Sequence, residues 1–100
     1  MLNISKSIEN GKAVFALEGR LDTITAPDLE KEIKSSFDGL RELTLDFSRL
    51  EYISSAGLRV LIEAHVNIAR KGGEMKLTNV NETIMEVFEI TGFSDIMTIE

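Results

Sequence analysis

Apolar and polar positions along the chain fall into short alternating runs separated by stretches of helical period. Residues 2–8 alternate, with Leu2, Ile4 and Ile8 on one side, and Asn10-Gly11 then supplies the two positive-φ positions of a tight hairpin turn. Residues 13–18 read as the returning strand of an antiparallel pair. Thr25 is placed to cap a helix whose first turn holds Pro27 and Asp28, and Leu29, Ile33 and Phe37 follow at four-residue spacing. Residues 43–47, LTLDF, read as a buried strand. Residues 55–71 read as a helix with Leu58, Leu61, Ile62, His65, Ile68 and Ala69 on one stripe, ended by Gly72-Gly73. A short strand over 75–78 comes next. A helix capped by Asn81 then carries Ile84, Val87 and Phe88 and stops at Gly92, and a last strand lies near 96–99.

The predicted order is ββαβαβαβ. After the first hairpin every step from strand to strand contains a helix, so parallel pairing through right-handed crossovers is expected. The fold class is therefore α/β, a small mixed β-sheet with flanking helices. In such sheets ligands and partners meet the loops beyond the carboxyl ends of the parallel strands. The segment SRLEYISSAG falls there, between the strand at 43–47 and the helix at 55–71.

Length narrows the picture to one domain, residues 1–100, with one core and no linker or repeat. The 11 basic and 17 acidic residues leave a net charge of −6, and no cluster of Lys or Arg is long enough to track a phosphate backbone. A protein or small-ligand partner is expected, and no nucleic acid. Cysteine is absent, which removes disulfides, thiolate nucleophiles and structural zinc clusters together. No run approaches the roughly 20 apolar residues that span a bilayer, so a cytoplasmic protein without a membrane partner is the expectation.

The chemistry concentrates at the turn Ser54-Ser55-Ala56-Gly57. Ser54 or Ser55 sits where a helix N-cap belongs, its oxygen positioned to accept a backbone N–H, worth about 1 kcal/mol. The same geometry also suits a serine displayed for modification, because a phosphate there would meet free N–H donors and the positive end of the helix dipole. Gly57 in the first turn reads as a place where the backbone is left uncovered for the approach of another chain. Spacing alone leaves capping and modification both open.

The run LDFSRLEYISSAGLRVL, with GRLDTITAPDL before it and EITGFSDI after it, resembles the anti-sigma factor antagonist family, the freestanding bacterial STAS domains. The resemblance covers nearly the whole chain and implies that family's mixed sheet flanked by helices. It also implies a partner-switching cycle. The unmodified antagonist binds an anti-sigma factor, which is also a serine kinase of the histidine-kinase-like ATPase fold, and so frees a sigma factor. Phosphorylation of a serine at the start of the central helix ends binding, and a metal-dependent serine phosphatase resets the protein. The family pattern is commonly Asp-Ser-Ser/Thr-Gly; aligned on Gly57, the acceptor is Ser55, with Ser54 as a minor alternative. Ser54 stands where Asp is common and Ala56 where Ser or Thr is common. The resemblance also places Gly19, Arg20, Leu21, Asp22 and Thr25 beside the serine turn, so the implied partner surface comprises Arg20, Asp22, Thr25, Ser54, Ser55, Ala56, Gly57 and Leu58. Asp46 and Ser48 match a strand-end Asp-x-Ser that equally suits local hydrogen bonding.

An enzyme reading lacks a constellation. The one histidine, His65, lies ten residues beyond Ser55 on the same helix, about 15 Å along the axis, and reads as a partly buried core residue. Asp22 and Asp46 read as solvated carboxylates, and no P-loop, metal or cofactor motif is present. Met75, Met85 and Met97 fall at core positions. The rival to the antagonist is a non-switching STAS scaffold or ligand-binding module of a signalling assembly, and the free antagonist is expected to be a monomer.

Overall fold

The computed structural model describes residues 1–100. Its elements are β1 (Leu2–Glu9), β2 (Lys12–Leu21), α1 (Ala26–Ser35), β3 (Glu42–Ile53), α2 (Ser55–Arg70), β4 (Glu74–Thr78), α3 (Glu82–Thr91), a 3-10 turn (Phe93–Asp95) and β5 (Thr98–Ile99). The sheet order is β1-β2-β3-β4-β5, with β1 antiparallel to β2 and every later pair parallel. The predicted order ββαβαβαβ and mixed sheet are both present. Asn10 and Gly11 take positive φ, +52° and +79°, as the hairpin turn requires.

Each crossover steps one strand further in the same direction. Right-handed connections of that kind put all three helices on one face of the sheet. Burial follows: Ala13, Phe15 and Leu17 of β2, Leu43, Leu45 and Phe47 of β3, and Met75 and Leu77 of β4 are buried, while their alternating neighbours are not. The opposite face is left to polar side chains, where Glu42 sits 3.4 Å from Lys12 and 3.9 Å from Lys76. A parallel sheet covered on one side only is uncommon. With no reversal of strand order, there is no crevice between helix layers for a ligand to enter.

Several boundaries and faces differ from the sequence reading, each for a physical reason. β3 does not stop at residue 47 but continues to Ile53, and β2 continues to Leu21. Two register shifts against β2, between Ala16 and Glu18 and between Gly19 and Arg20, insert an extra β3 residue each time. The apolar spacing of SRLEYI therefore changes from two to three, and the alternation that marks a strand disappears. Ile8 is 52% exposed, because it lies at the hairpin end beyond helical cover. α1 ends at Ser35, so Phe37 lies past the helix, half-buried, with the Lys71 ammonium 4.2 Å over its ring.

On α2 the buried stripe is Gly57, Val60, Leu61, Ala64 and Ile68; the predicted stripe shares only Leu61 and Ile68 with it. Two neighbouring faces of this helix are apolar, and the sheet takes the one with the smaller residues. Ile62 and Ala69 are exposed, and Leu58 and His65 half-buried. α3 matches the reading: the Asn81 side chain accepts from Ile84 N at 2.9 Å, and Gly92 closes the helix in the left-handed conformation. Met75 and Met97 are buried and Met85 is half-buried against the core.

Candidate functional site

β2 and β3 arrive together at one end of the sheet, with Arg20 opposite Tyr52 and Leu21 opposite Ile53. The chain then turns twice, into the loop before α1 and into the start of α2. One backbone bond ties the turns together: Ser54 N donates to Leu21 O at 2.9 Å. The structure thus brings the two implied partner segments, Arg20 to Thr25 and Ser54 to Leu58, together at one end of the sheet, with Thr25 and Gly57 of the implied partner surface buried rather than exposed.

The division of work between the two serines is visible. Ser54, with extended backbone at φ −103° and ψ 175°, is the N-cap, its Oγ accepting from Gly57 N at 3.4 Å. Ser55 is the first residue of α2, exposed, and its hydroxyl belongs to none of the protein's side-chain hydrogen bonds.

Gly57 differs from its sequence reading. It is buried, and a Cβ built there would lie 2.7 Å from Leu21 Cγ and 2.9 Å from Ile53 Cγ1. The small residue serves close packing inside the chain, with the two strand ends fitting beneath the first turn of α2. Ala56 and Leu58 are half-buried and pack against the core, which leaves Ser55 as the outward group of the turn.

Thr25 departs from its predicted cap. It is the N-cap of α1 by position, but with helical backbone and no side-chain bond to the helix. Its hydroxyl faces back into the loop, accepting from Asp22 N at 2.9 Å and donating to Arg20 O at 2.8 Å, and the residue is only 6% exposed. Asp22 Oδ1 accepts from the N–H groups of Ile24 and Thr25, both at 3.0 Å. Residues 20–25 are thereby a rigid turn. Arg20 is held outside it, its guanidinium 4.2 Å from the centre of the Tyr52 ring and its Nε 3.8 Å from Asp22 Oδ2. Tyr52 and Ile24, 41% and 84% exposed, complete the surface. Sequence reasoning passed over both, since Tyr52 was hidden in a bulged strand; an isoleucine between two threonines in a polar loop was the available signal.

Asp46 lies at the last pairing of β3 with β4, opposite Thr78. Its Oδ1 accepts from Asn79 Nδ2 at 3.0 Å and from Ser48 N at 2.9 Å. The predicted local bonding of Asp46 and Ser48 is present, with Asn79 as an added partner in left-handed backbone, φ +56°. The Asn79 amide, then the Ser48 N–H, hold the Asp46 carboxyl below the usual carboxylate range. Asp22 is lowered too, by the Thr25 N–H first and also by the Ile24 N–H, against partial desolvation. A lowered native pKa means that the ionised form is the stabilising one. The contribution is complete above the unfolded value, about 3.9, and is lost as pH falls through the native value. In thermal melts between about pH 6 and pH 2.5, the gap between wild type and Asp46→Asn should therefore hold down to about pH 4 and then narrow. A gap that widens with acid would refute the assignment.

No cluster of three or more His, Cys, Asp or Glu side chains that could hold a metal occurs, and no helix is long and apolar enough to cross a membrane. His65 is half-buried and lines a shallow cleft with Gly73, Glu74 and Lys76 rather than facing Ser55.

Comparison with known proteins agrees with this fold. A model of the STAS domain family matches residues 3–100. BtrV of Bordetella bronchiseptica, which carries the name anti-sigma factor antagonist, is 39% identical over 88 residues, 87% of this chain and 76% of the relative. The anti-sigma-B factor antagonist of Bacillus subtilis is 29% identical over 83 residues, 83% of this chain and 76% of the relative. Among solved structures, the antagonist SpoIIAA in its unphosphorylated form superposes with a TM-score of 0.78 at 18% identity, covering 100% of this chain and 87% of that one. The phosphorylated form of SpoIIAA, a Bacillus cell fate determinant, gives 0.78 at 21% identity, covering 98% and 91%. With its motif, its fold and its relatives in agreement, the chain belongs to the STAS domain family, among the anti-sigma factor antagonists.

Proposed function

We propose that the protein is an anti-sigma factor antagonist that acts by partner switching in the cytoplasm and is not itself an enzyme. Unphosphorylated, it binds an anti-sigma factor that is also a serine kinase of the histidine-kinase-like ATPase fold, freeing a sigma factor. Phosphorylated on Ser55 it lets go, and a serine phosphatase resets it. The names of its relatives support the anti-sigma factor as partner, and the two solved forms of SpoIIAA support phosphorylation as the switch.

The observation that carries the reading is the separation of cap from acceptor. Ser54 accepts the Gly57 N–H, so Ser55 can be modified without uncapping α2. In the transfer, the γ-phosphoryl group of ATP passes to Ser55 Oγ. An O–P bond forms, the bond to the β-phosphate bridge breaks, ADP leaves, and the hydroxyl proton goes to a base of the kinase. The product adds about −1.5 to −2 charges to a protein already at −6. An interface closed around a neutral serine is then opposed by both charge and bulk.

Paired pull-downs from native lysate with wild-type and Ser55→Asp baits test the proposal. Wild type is expected to retain a small ATPase of that fold and the substituted bait to lose it, with unchanged melting, since an acidic residue suits a helix start. Baits that hold the same proteins would return Ser55 to an ordinary surface residue.

A further inference from the structure

Partner switching separates two demands on this surface: it must bind tightly in one state and release in the other. We propose, resting on the function above, that different residues meet them: Ile24 and the Arg20–Tyr52 stack anchor the anti-sigma factor kinase, and Ser55 only switches it. Ile24 is 84% exposed in a turn closed by four hydrogen bonds among Arg20, Asp22, Ile24 and Thr25. A loose loop would fold such a side chain down onto its own core. This turn holds it out, so little conformational freedom remains to be lost on binding, which is the condition for a strong contact.

The second anchor has the same character. The Arg20 guanidinium is stacked on Tyr52, leaving terminal N–H groups free at its edge, and Arg and Tyr are among the residues that most often dominate interface energies. Both anchors are continuous with Ser55 through the bond from Ser54 N to Leu21 O. The partner's face is thereby specified as an apolar socket for Ile24 beside carbonyl or carboxylate oxygens that receive Arg20. Phosphorylation alters neither anchor. Release comes from the charge and bulk added at Ser55, which belongs to neither anchor.

The test uses the kinase identified by the wild-type pull-down, purified, with full-length wild type, Ile24→Ala, Tyr52→Ala and Ile90→Ala. Ile90 is the control, 86% exposed near the far end of α3. Dissociation constants and steady-state kinetics of Ser55 phosphorylation are measured. Ile24→Ala should weaken binding about tenfold or more and raise KM in step, with kcat within about twofold, because an anchor contributes equally to ground and transition states. Tyr52→Ala should do the same to a smaller degree, and Ile90→Ala should match wild type. If Ile24→Ala binds like Ile90→Ala while wild type is bound and phosphorylated, the anchor is refuted and switching survives. A fall in kcat without a change in KM also refutes it, since Ile24 would then position the serine. If wild type is neither bound nor phosphorylated by that kinase, partner switching fails and the anchor with it.

Discussion

Phe88→Ala is expected to cost about 3–5 kcal/mol of stability, the range for removing a buried aromatic side chain. A domain of this size has roughly 5–15 kcal/mol in hand, so the variant should sit at the edge of folding. The reason lies in how little else holds α3. Only Ile84 and Phe88 of that helix are buried, and Phe88 packs edge-on against Phe47 of β3, ring centres 6.2 Å apart, and against Phe93, 4.7 Å apart. Emptying that position leaves a cavity bounded by two other fully or nearly buried rings that cannot collapse inward. The damage should reach the candidate site, because Asn81, which caps α3, also donates to Leu50 O in the bulged part of β3 at 3.0 Å. Urea melts followed by far-UV circular dichroism would measure the loss, with Ile90→Ala on the exposed face as the contrast. A loss below about 1.5 kcal/mol, the level of a tolerated core exchange, would show that α3 is held by something other than its aromatic contact.

What the sequence disclosed, and what it hid, follows from how local each signal is. Asn10-Gly11 and Asn81 announce their structures because a turn and a cap are decided within four residues. The chain order likewise pointed at a mixed sheet. The second half of β3 was invisible for the opposite reason: residues 48–53 are a strand because β2 continues beside them, and their two bulges erase the period. The stripe on α2 was misread because Leu58, Ile62 and Val66 are as apolar as Val60, Leu61 and Ala64. Only the size of the neighbours decides between the two faces. At the site itself, Thr25 was expected to cap and instead braces its own loop, a choice made by the positions of Asp22 and Arg20. Ile24 and Tyr52 carried no motif, and their exposure is a property of the fold alone.

Gly57 is where sequence reading and packing diverge most, and Gly57→Ala tests the difference. Were the glycine there to leave the backbone open, alanine would stabilise the helix by about 0.5–1 kcal/mol through reduced backbone entropy. The structure demands the reverse sign. A Cβ at 2.7 Å from Leu21 Cγ and 2.9 Å from Ile53 Cγ1 meets two buried side chains at strand ends fixed by the sheet. Overpacking of that kind costs about 1–3 kcal/mol and outweighs the helical gain. At about 4–8 °C per kcal/mol for a domain this small, the melting temperature should fall visibly. The first turn of α2 can relieve the clash only by lifting from Leu21, which lengthens the Ser54 N to Leu21 O bond and moves Ser55 relative to the loop of Ile24. Partner binding should therefore weaken along with stability. A double-mutant cycle isolates the cause: in a Leu21→Ala background, where the nearer of the two obstructing carbons is gone, the cost of Gly57→Ala should shrink. An equal cost in both backgrounds would place the strain at Ile53 or elsewhere in the turn, and a gain in the wild-type background would return Gly57 to the uncovered backbone of the sequence reading.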